Sequence, residues 1–292
     1  MDGRCRLSGV EAIVLGTAQD GGVPQSGCGC AACRASRDEP TRARRPSCLG
    51  LLDRGSGSCW MIDATWQFAS QLDSLDRAGN RDDAGAPDGI LLTHAHTGHY
   101  TGLVHLGREM MASHELPVWV MPRMAEFLSS NQPWASLVDD RNIVLRELTV
   151  DRPVCLGERL SVRVVPVVHR DELSETVAFE ITGPNRQALW LPDIDAWGER
   201  LEELVSDVDV AWLDGTFYDD TELPGRDIRQ VPHPRVARHL EEYSRLATEA
   251  DVDVRLVHLN HTNPLCDALS RESQEVEAAG VGIAREGERV EL

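Results

Sequence analysis

His94-Ala95-His96-Thr97-Gly98-His99 follows directly on the apolar run Gly89-Ile90-Leu91-Leu92-Thr93, and its reading decides the fold. Two imidazoles spaced two residues apart project from one extended loop, so both can reach the same ion. Taken alone, such a pair is also an ordinary polar turn. Three residues further along add weight: His169 closes VRVVPVVH, Asp193 closes ALWLPD, and His258 lies in VRLVHL. Each ends an apolar, strand-like run, where a strand hands its next side chain to a cleft. Imidazoles with a carboxylate are a ligand set for zinc or iron. His169 can complete a three-histidine face with His94 and His96, which leaves a position open for water, and zinc in that setting lowers the pKa of water toward about 7. His105 and His114 fall outside the pattern and read as surface or packing histidines.

Outward from this motif, the pattern is alternating. VEAIVLG (10–16) reads as an opening strand, and the Gly-rich stretch from Ala18 to Pro24 forces a tight loop. SCLGLLDR and SCWMIDAT flank Gly55-Ser56-Gly57 as a hairpin, with Asp63 at its exit. The polar stretch 73–89 reads as a surface loop, GILLT as a short buried strand, and YTGLVHLGREMM as a helix through Leu103, Leu106 and Met110. PVWVM, RLSVRVVPVV, TVAFEIT, QALWLP, VDVAWLD and VDVRLVHL read as strands. WGERLEELVSD and PRVARHLEEYSRLATEA read as amphipathic helices. Strands in both halves with helices between them imply a layered α/β protein. At 292 residues, residues 1–292 are expected to form a single domain.

Composition excludes several roles. A net charge of −19 argues against nucleic acid or an anionic membrane as partner, since both need a basic face. The chain has no Lys, and all 29 basic residues are Arg, which speaks to proteome bias more than to chemistry. No apolar run approaches the roughly 18 residues needed to cross a bilayer, and the N-terminal segment lacks the apolar core of a secretory signal. A cytoplasmic protein acting on a small-molecule substrate is expected, with oligomeric state open and a homodimer compatible with the sequence. Arg34, Arg37, Arg42, Arg44 and Arg45 form a basic stretch that either holds an anionic substrate or pairs with the protein's own carboxylates.

Cys28, Cys30 and Cys33 are too close for ordinary disulfides and suit a metal knuckle at about residues 26–34. Tetrahedral zinc needs a fourth ligand. His261, three residues after His258, is the candidate. Cys5, Cys48, Cys59, Cys155 and Cys266 read as buried small residues. His233, between prolines in VPHP, either donates a proton to a leaving group or is a loop histidine; Asp214 ends VAWLD.

The ordered set HAHTGH, His169, Asp193, His258 resembles the metallo-β-lactamase superfamily, whose motif is HxHxDH followed by a lone His, a lone Asp and a final His. The resemblance implies an αββα sandwich with the metal cleft at one edge of two sheets. It also implies a second ion on His99 and His258, with Asp193 bridging both metals. Asp63 resembles the strand-end Asp that supports the histidine loop. Gly98 stands where the motif has Asp. Asp20, in the AQDGG loop that approaches the cleft in this superfamily, is the candidate replacement; the alternative is that it caps the turn before Gly21-Gly22. The Gly-rich loop, CxCxxC cluster and HxxH pair are similar to those of the phosphodiesterase of bacterial phosphonate metabolism.

LGTAQDGGVPQSGCGC, LDGTFYDD, VPHP and HxNxTNP resemble the pyrroloquinoline-quinone biosynthesis protein B family over nearly the whole chain. That family loses the HxH histidines and keeps the Asp and His of the second site, whereas this chain keeps both histidines and lacks the Asp. The leading expectation is therefore a metal-dependent hydrolase using metal-bound hydroxide on a small ester, phosphoester or related substrate, with zinc in both sites and Asp193 positioning the water. Iron-and-oxygen chemistry in cofactor or natural-product biosynthesis is the alternative implied by the resemblance. A metal-holding or carrier protein without turnover is the third.

Overall fold

Hydrophobic residues one apart in β1 (Val10–Gly16) part to opposite sides: Val10, Ala12 and Val14 join one apolar layer, and Ile13 and Leu15 another. This period-two split with both faces apolar marks a strand covered on both sides. The computed structural model describes residues 9–81, 85–150, 152–223 and 227–292. Cys5 lies outside them, as does part of the 73–89 stretch.

The strands that follow are β2 (Cys48–Asp53), β3 (Ser58–Ile62), β4 (Gly89–Leu91), β5 (Leu116–Val120), β6 (Ile143–Glu147), β7 (Val154–Cys155), β8 (Ser161–Val167), β9 (Thr176–Thr182), β10 (Gln187–Leu191), β11 (Val210–Asp214), β12 (Asp253–Val257), β13 (Gly282–Ile283) and β14 (Arg289–Glu291). One sheet has the order β14-β1-β2-β3-β4-β5-β6 and the other β13-β12-β11-β10-β9-β8-β7. The helices are α1 (Ala31–Asp38), α2 (Phe68–Gly79), α3 (Thr97–Tyr100), α4 (Pro122–Ser130), α5 (Trp134–Asp139), α6 (Leu201–Val205), α7 (Val236–Thr248) and α8 (Arg271–Ala278).

Three apolar layers make the sandwich. Leu49, Leu51, Trp60 and Ile62 of the first sheet meet Phe179, Ile181, Trp190 and Trp212 of the second. In parallel-paired β10 and β11, Trp190 lies opposite Trp212 with ring centroids 6.0 Å apart. Outside the first sheet, Met61, Ile90 and Val118 pack on Phe68 and Leu75 of α2 and on Met124 and Leu128 of α4. Outside the second, Leu189, Leu213 and Leu256 pack on α6, α7 and α8 through Leu201, Tyr243 and Val276. This is an αββα sandwich of the metallo-β-lactamase type. None of its described helices is long and apolar enough to cross a membrane.

Some local expectations need correction. Residues 73–79 belong to α2, because Phe68, Leu72 and Leu75 share a buried face while Asp73 and Arg77 face water; a reading that starts at residue 73 cuts this pattern in half. The helix through Leu103, Leu106 and Met110 is instead α3 and a 3₁₀ turn (Thr101–Leu106) that stops at Gly107, leaving Met110 58% exposed. WGERLEELVSD yields only the short α6. Cys48 and Cys59 are buried, Cys266 is half-buried and Cys155 is exposed on the short β7, so the small buried role fails for Cys155. His114 is exposed, and His105 packs against Phe68.

β3 to β6 pair in parallel, as do β10 to β13. Their carboxyl ends therefore open on one edge, where parallel sheets present ligand sites. Buried Gln71 ties the loops there: its Nε2 donates to Pro46 O at 2.8 Å, and its Oε1 accepts from Thr65 Oγ1 at 2.6 Å. Replacing it with Leu strands the Pro46 carbonyl and leaves the Thr65 hydroxyl with the Gln67 amide as its remaining partner, and a stranded buried group costs about 1–3 kcal/mol. Gln71→Leu is expected to lower unfolding free energy by at least about 1 kcal/mol in urea titrations, with the m-value unchanged.

Candidate metal centre

Each residue of the histidine pattern follows the carboxyl end of a strand. His94, His96 and His99 follow β4, His169 follows β8, Asp193 follows β10, and His258 follows β12. Asp63, just after β3, and His258 adopt φ values of 69° and 64°. The left-handed region is uncommon for residues with a Cβ and recurs at functional sites held by their surroundings.

The far nitrogen of most of these rings is held. His94 Nδ1 lies 3.0 Å from Thr93 Oγ1, which itself donates to Asp63. His99 Nδ1 meets Asp63 Oδ2 at 2.7 Å, His169 Nδ1 meets Asp195 Oδ1 at 3.0 Å, and His258 Nδ1 meets Thr216 Oγ1 at 2.8 Å. Such outer partners fix tautomer and ring orientation. The near atoms converge on the cleft as two clusters. His94, His96 and His169 form one, with His169 Nε2 3.3 Å from His96 Nδ1. Asp20, His99 and His258 form the other; Asp20 Oδ1 is 3.2 Å from His99 Nε2 and 3.9 Å from His258 Nε2. Asp193 stands between them: Oδ2 is 3.4 Å from both His99 Nε2 and His258 Nε2, and Oδ1 is 3.5 Å from His169 Nε2.

These atoms fit metal ions. His94 Nε2, Asp20 Oδ1, Asp193 Oδ2 and His258 Nε2 are all buried without a hydrogen-bond partner among the described residues. Burying polar atoms in this way is costly unless something coordinates them. Burial pushes His94 well below the ordinary histidine range, His96 down to about 4 and His169 to about 2, so their rings are neutral, as coordination requires. Burial would lower His99 too, but Asp63, Asp193 and Asp20 hold it well above its usual value. The field that retains a proton there would equally retain a cation.

The knuckle assembles as a separate cluster. Cys28, Cys30, Cys33 and His261 have ligand atoms within 4.8 Å of one another, and His261 Nδ1 lies 3.6 Å from Cys28 Sγ and 3.5 Å from Cys30 Sγ. Backbone amides of Cys30, Cys33 and Gln25 donate to the three sulfurs, and Cys30 caps α1. Three thiols and one imidazole are the donor set of a closed structural zinc site. Two arginines of the basic stretch serve this region. Arg37 donates to the carbonyls of Cys28 and Gln25, and Arg34 to Gly29. Arg42 pairs with Glu39 and Arg45 with Glu286, while Arg44 reaches Thr17 and the carbonyls of Ala284 and Cys266.

His233 is buried at the cleft, with ring centroids 5.0 Å from His169 and 5.8 Å from His258. Its Nδ1 meets Asp214 Oδ2 at 2.7 Å, and Asp214 also accepts from the amides of Ile194 and Thr216. Thr93, Asp195 and Thr216 were not singled out from sequence. All three sit within two residues of a singled-out position, which is the signal that could have found them.

A family model described as Beta-lactamase superfamily domain matches residues 60–258. The chain belongs to that superfamily. Among curated relatives of this superfamily member is Coenzyme PQQ synthesis protein B of Rhizobium meliloti (strain 1021), 26% identical over 310 residues that cover 98% of this chain and 99% of that protein. The protein of the same name from Pseudomonas paraeruginosa (strain DSM 24068 / PA7) is 28% identical over 315 residues, covering 96% and 99%. Among solved structures, Zn(2+)-bound PqqB from Methylobacterium extorquens superposes with a TM-score of 0.80 at 20% identity, covering 97% of this chain and 100% of that one. A diphosphatase from the PhnP family gives 0.69 at 19% identity, covering 97% of each.

Cys28→Ser removes one knuckle thiolate. Purified variant protein is expected to carry one metal equivalent fewer than wild type by elemental analysis and to melt at a lower temperature, with the cleft metal retained.

Proposed function

We propose that this protein is a hydrolase that uses two metal ions, zinc in the first instance, to cleave a small ester or phosphoester. The observation that carries the reading is the position of Asp193, whose two oxygens face the two histidine clusters separately. A carboxylate shared in this way suits a pair of ions that clamp the attacking and leaving oxygens of one substrate. His94, His96 and His169 would hold one ion, and His99 and His258 the other. When bound, the metal supplies Lewis acidity and a water of lowered pKa.

The chain's own contribution lies in orientation and proton handling. Thr93, Asp63, Asp195 and Thr216 hold the rings in register from behind. His233 faces the cleft, and although burial opposes its charge, Asp214 raises its pKa above the usual value. That pair is suited to deliver a proton to a departing oxygen, a role worth typically 10²–10⁴-fold. A net charge of −19 favours a small molecule over nucleic acid as substrate. The whole chain is read as one domain because both sheets share the inner apolar layer.

Likeness to Coenzyme PQQ synthesis protein B over almost the full length supports a second reading, a role in coenzyme or natural-product biosynthesis with iron and oxygen at the same cleft. Anaerobically purified protein that carries cleft iron and consumes oxygen with substrate would favour it.

Wild-type protein loaded with zinc is expected to cleave bis(p-nitrophenyl) phosphate or an activated ester, and His94→Ala to abolish this while the fold, read by circular dichroism, persists. Full activity in His94→Ala would refute the hydrolase. His233→Asn is expected to slow substrates with poor alkoxide leaving groups by about 10²-fold or more. It should scarcely affect p-nitrophenolate esters, whose leaving group needs no proton.

A further inference from the structure

The superfamily motif calls for a carboxylate at position 98, and this chain has glycine there. A Cβ built on Gly98 would lie 2.2 Å from Asp20 Oδ1, 2.7 Å from Asp20 Cγ and 2.6 Å from Asp20 Cα. No side chain fits at position 98 while Asp20 stays where it is, so the space a residue 98 carboxylate would start from is filled by a carboxylate from another part of the chain. We propose that Asp20 is the carboxylate ligand of the second cleft ion in place of the residue at 98, and that Gly98 is glycine because it must clear Asp20. The proposal rests on the metal-centre reading above but not on hydrolysis.

The surroundings of Asp20 are built for this. Gln19 N donates to Leu259 O at 2.9 Å, and Leu259 N to Thr17 O at 2.8 Å. A short backbone ladder therefore fixes the loop after β1 beside the residue that follows His258. From the other side, Trp66 Nε1 donates to Asp20 O at 2.8 Å, and Trp66 follows the Asp63 that orients His99. Asp20 is thus clamped between the segment that carries His258 and the segment whose Asp63 orients His99. Its Oδ1 is buried, has no hydrogen-bond partner among the described residues and lies 3.2 Å from His99 Nε2 and 3.9 Å from His258 Nε2. A carboxylate that merely capped its own turn would accept from backbone amides of residues 21–23. Those of Gly22 and Val23 donate instead to Gln19 O and Arg44 O.

Zinc titration of chelator-dialysed wild type, Asp20→Asn, Asp20→Ala and Gly98→Ala tests this, with circular dichroism confirming that each variant is folded. Wild type is expected to bind three equivalents, one at the knuckle and two in the cleft. Asp20→Asn, which preserves size and turn, should bind the third equivalent at least about tenfold more weakly, since loss of an outer-shell partner alone typically costs 10–100-fold. Asp20→Ala should match it, and Gly98→Ala should weaken the same equivalent by displacing Asp20. Three equivalents bound with wild-type affinity by Asp20→Asn and Asp20→Ala overturn the proposal, as does a single cleft ion in wild type. Zinc counts as expected from a protein without esterase or phosphodiesterase activity defeat the hydrolase reading and leave the Asp20 assignment standing.

Discussion

Buried imidazole and carboxylate atoms converging on one cleft are the constraint on which this molecule depends. His94 Nε2, His258 Nε2, Asp193 Oδ2 and Asp20 Oδ1 are buried without a hydrogen-bond partner among the described residues. The opposite nitrogens of four rings are spent on Thr93, Asp63, Asp195 and Thr216. Rotating a ring to relieve one unsatisfied atom would break a bond on its other side. Cations at the centre would satisfy these atoms together, and the sandwich around them holds the rings in place.

That sandwich delivers the ligands by a simple rule. Two half-parallel sheets meet through Trp60, Phe179, Trp190 and Trp212, which sets their spacing, and the carboxyl ends of their parallel strands open on the same edge. The segments that follow β3, β4, β8, β10 and β12 then carry Asp63, the three motif histidines, His169, Asp193 and His258. Left-handed backbone at Asp63 and His258 turns those two side chains inward where a regular strand would carry them on. The second cluster draws on both ends of the chain, and this explains why the loop after β1 is laced to residue 259 and why the cysteine knuckle lies so close to it. His258 and His261, three residues apart, serve the cleft and the knuckle respectively.

Much of this was legible in the sequence because its signals are local. HAHTGH, the apolar runs before His169, Asp193 and His258, and the CxCxxC cluster each announce themselves within a few residues. The hairpin β2–β3 was legible from Gly55-Ser56-Gly57. What escaped depended on tertiary context. Residues 73–79 looked like a polar linker because the buried face of α2 begins earlier, at Phe68. The segment after His99 has helical spacing, yet Gly102 must pass close to the Thr65 carbonyl and Gly107 ends the turn. Thr93, Asp195 and Thr216 carry no motif of their own, and only the fold shows which ring each one holds. Gly98 reads in sequence as a missing ligand with Asp20 as its candidate replacement, and the fold brings Asp20 Oδ1 to within 2.2 Å of where a Cβ on residue 98 would lie.

Anomalous scattering at the zinc edge from crystals of the zinc-loaded protein reads out whether two ions flank Asp193 in the cleft. Three peaks are expected: one among Cys28, Cys30, Cys33 and His261, one on His94, His96 and His169, and one on Asp20, His99 and His258, the last two within coordination distance of Asp193. A knuckle peak with an empty cleft, or a single cleft peak that leaves one histidine cluster bare, would contradict it.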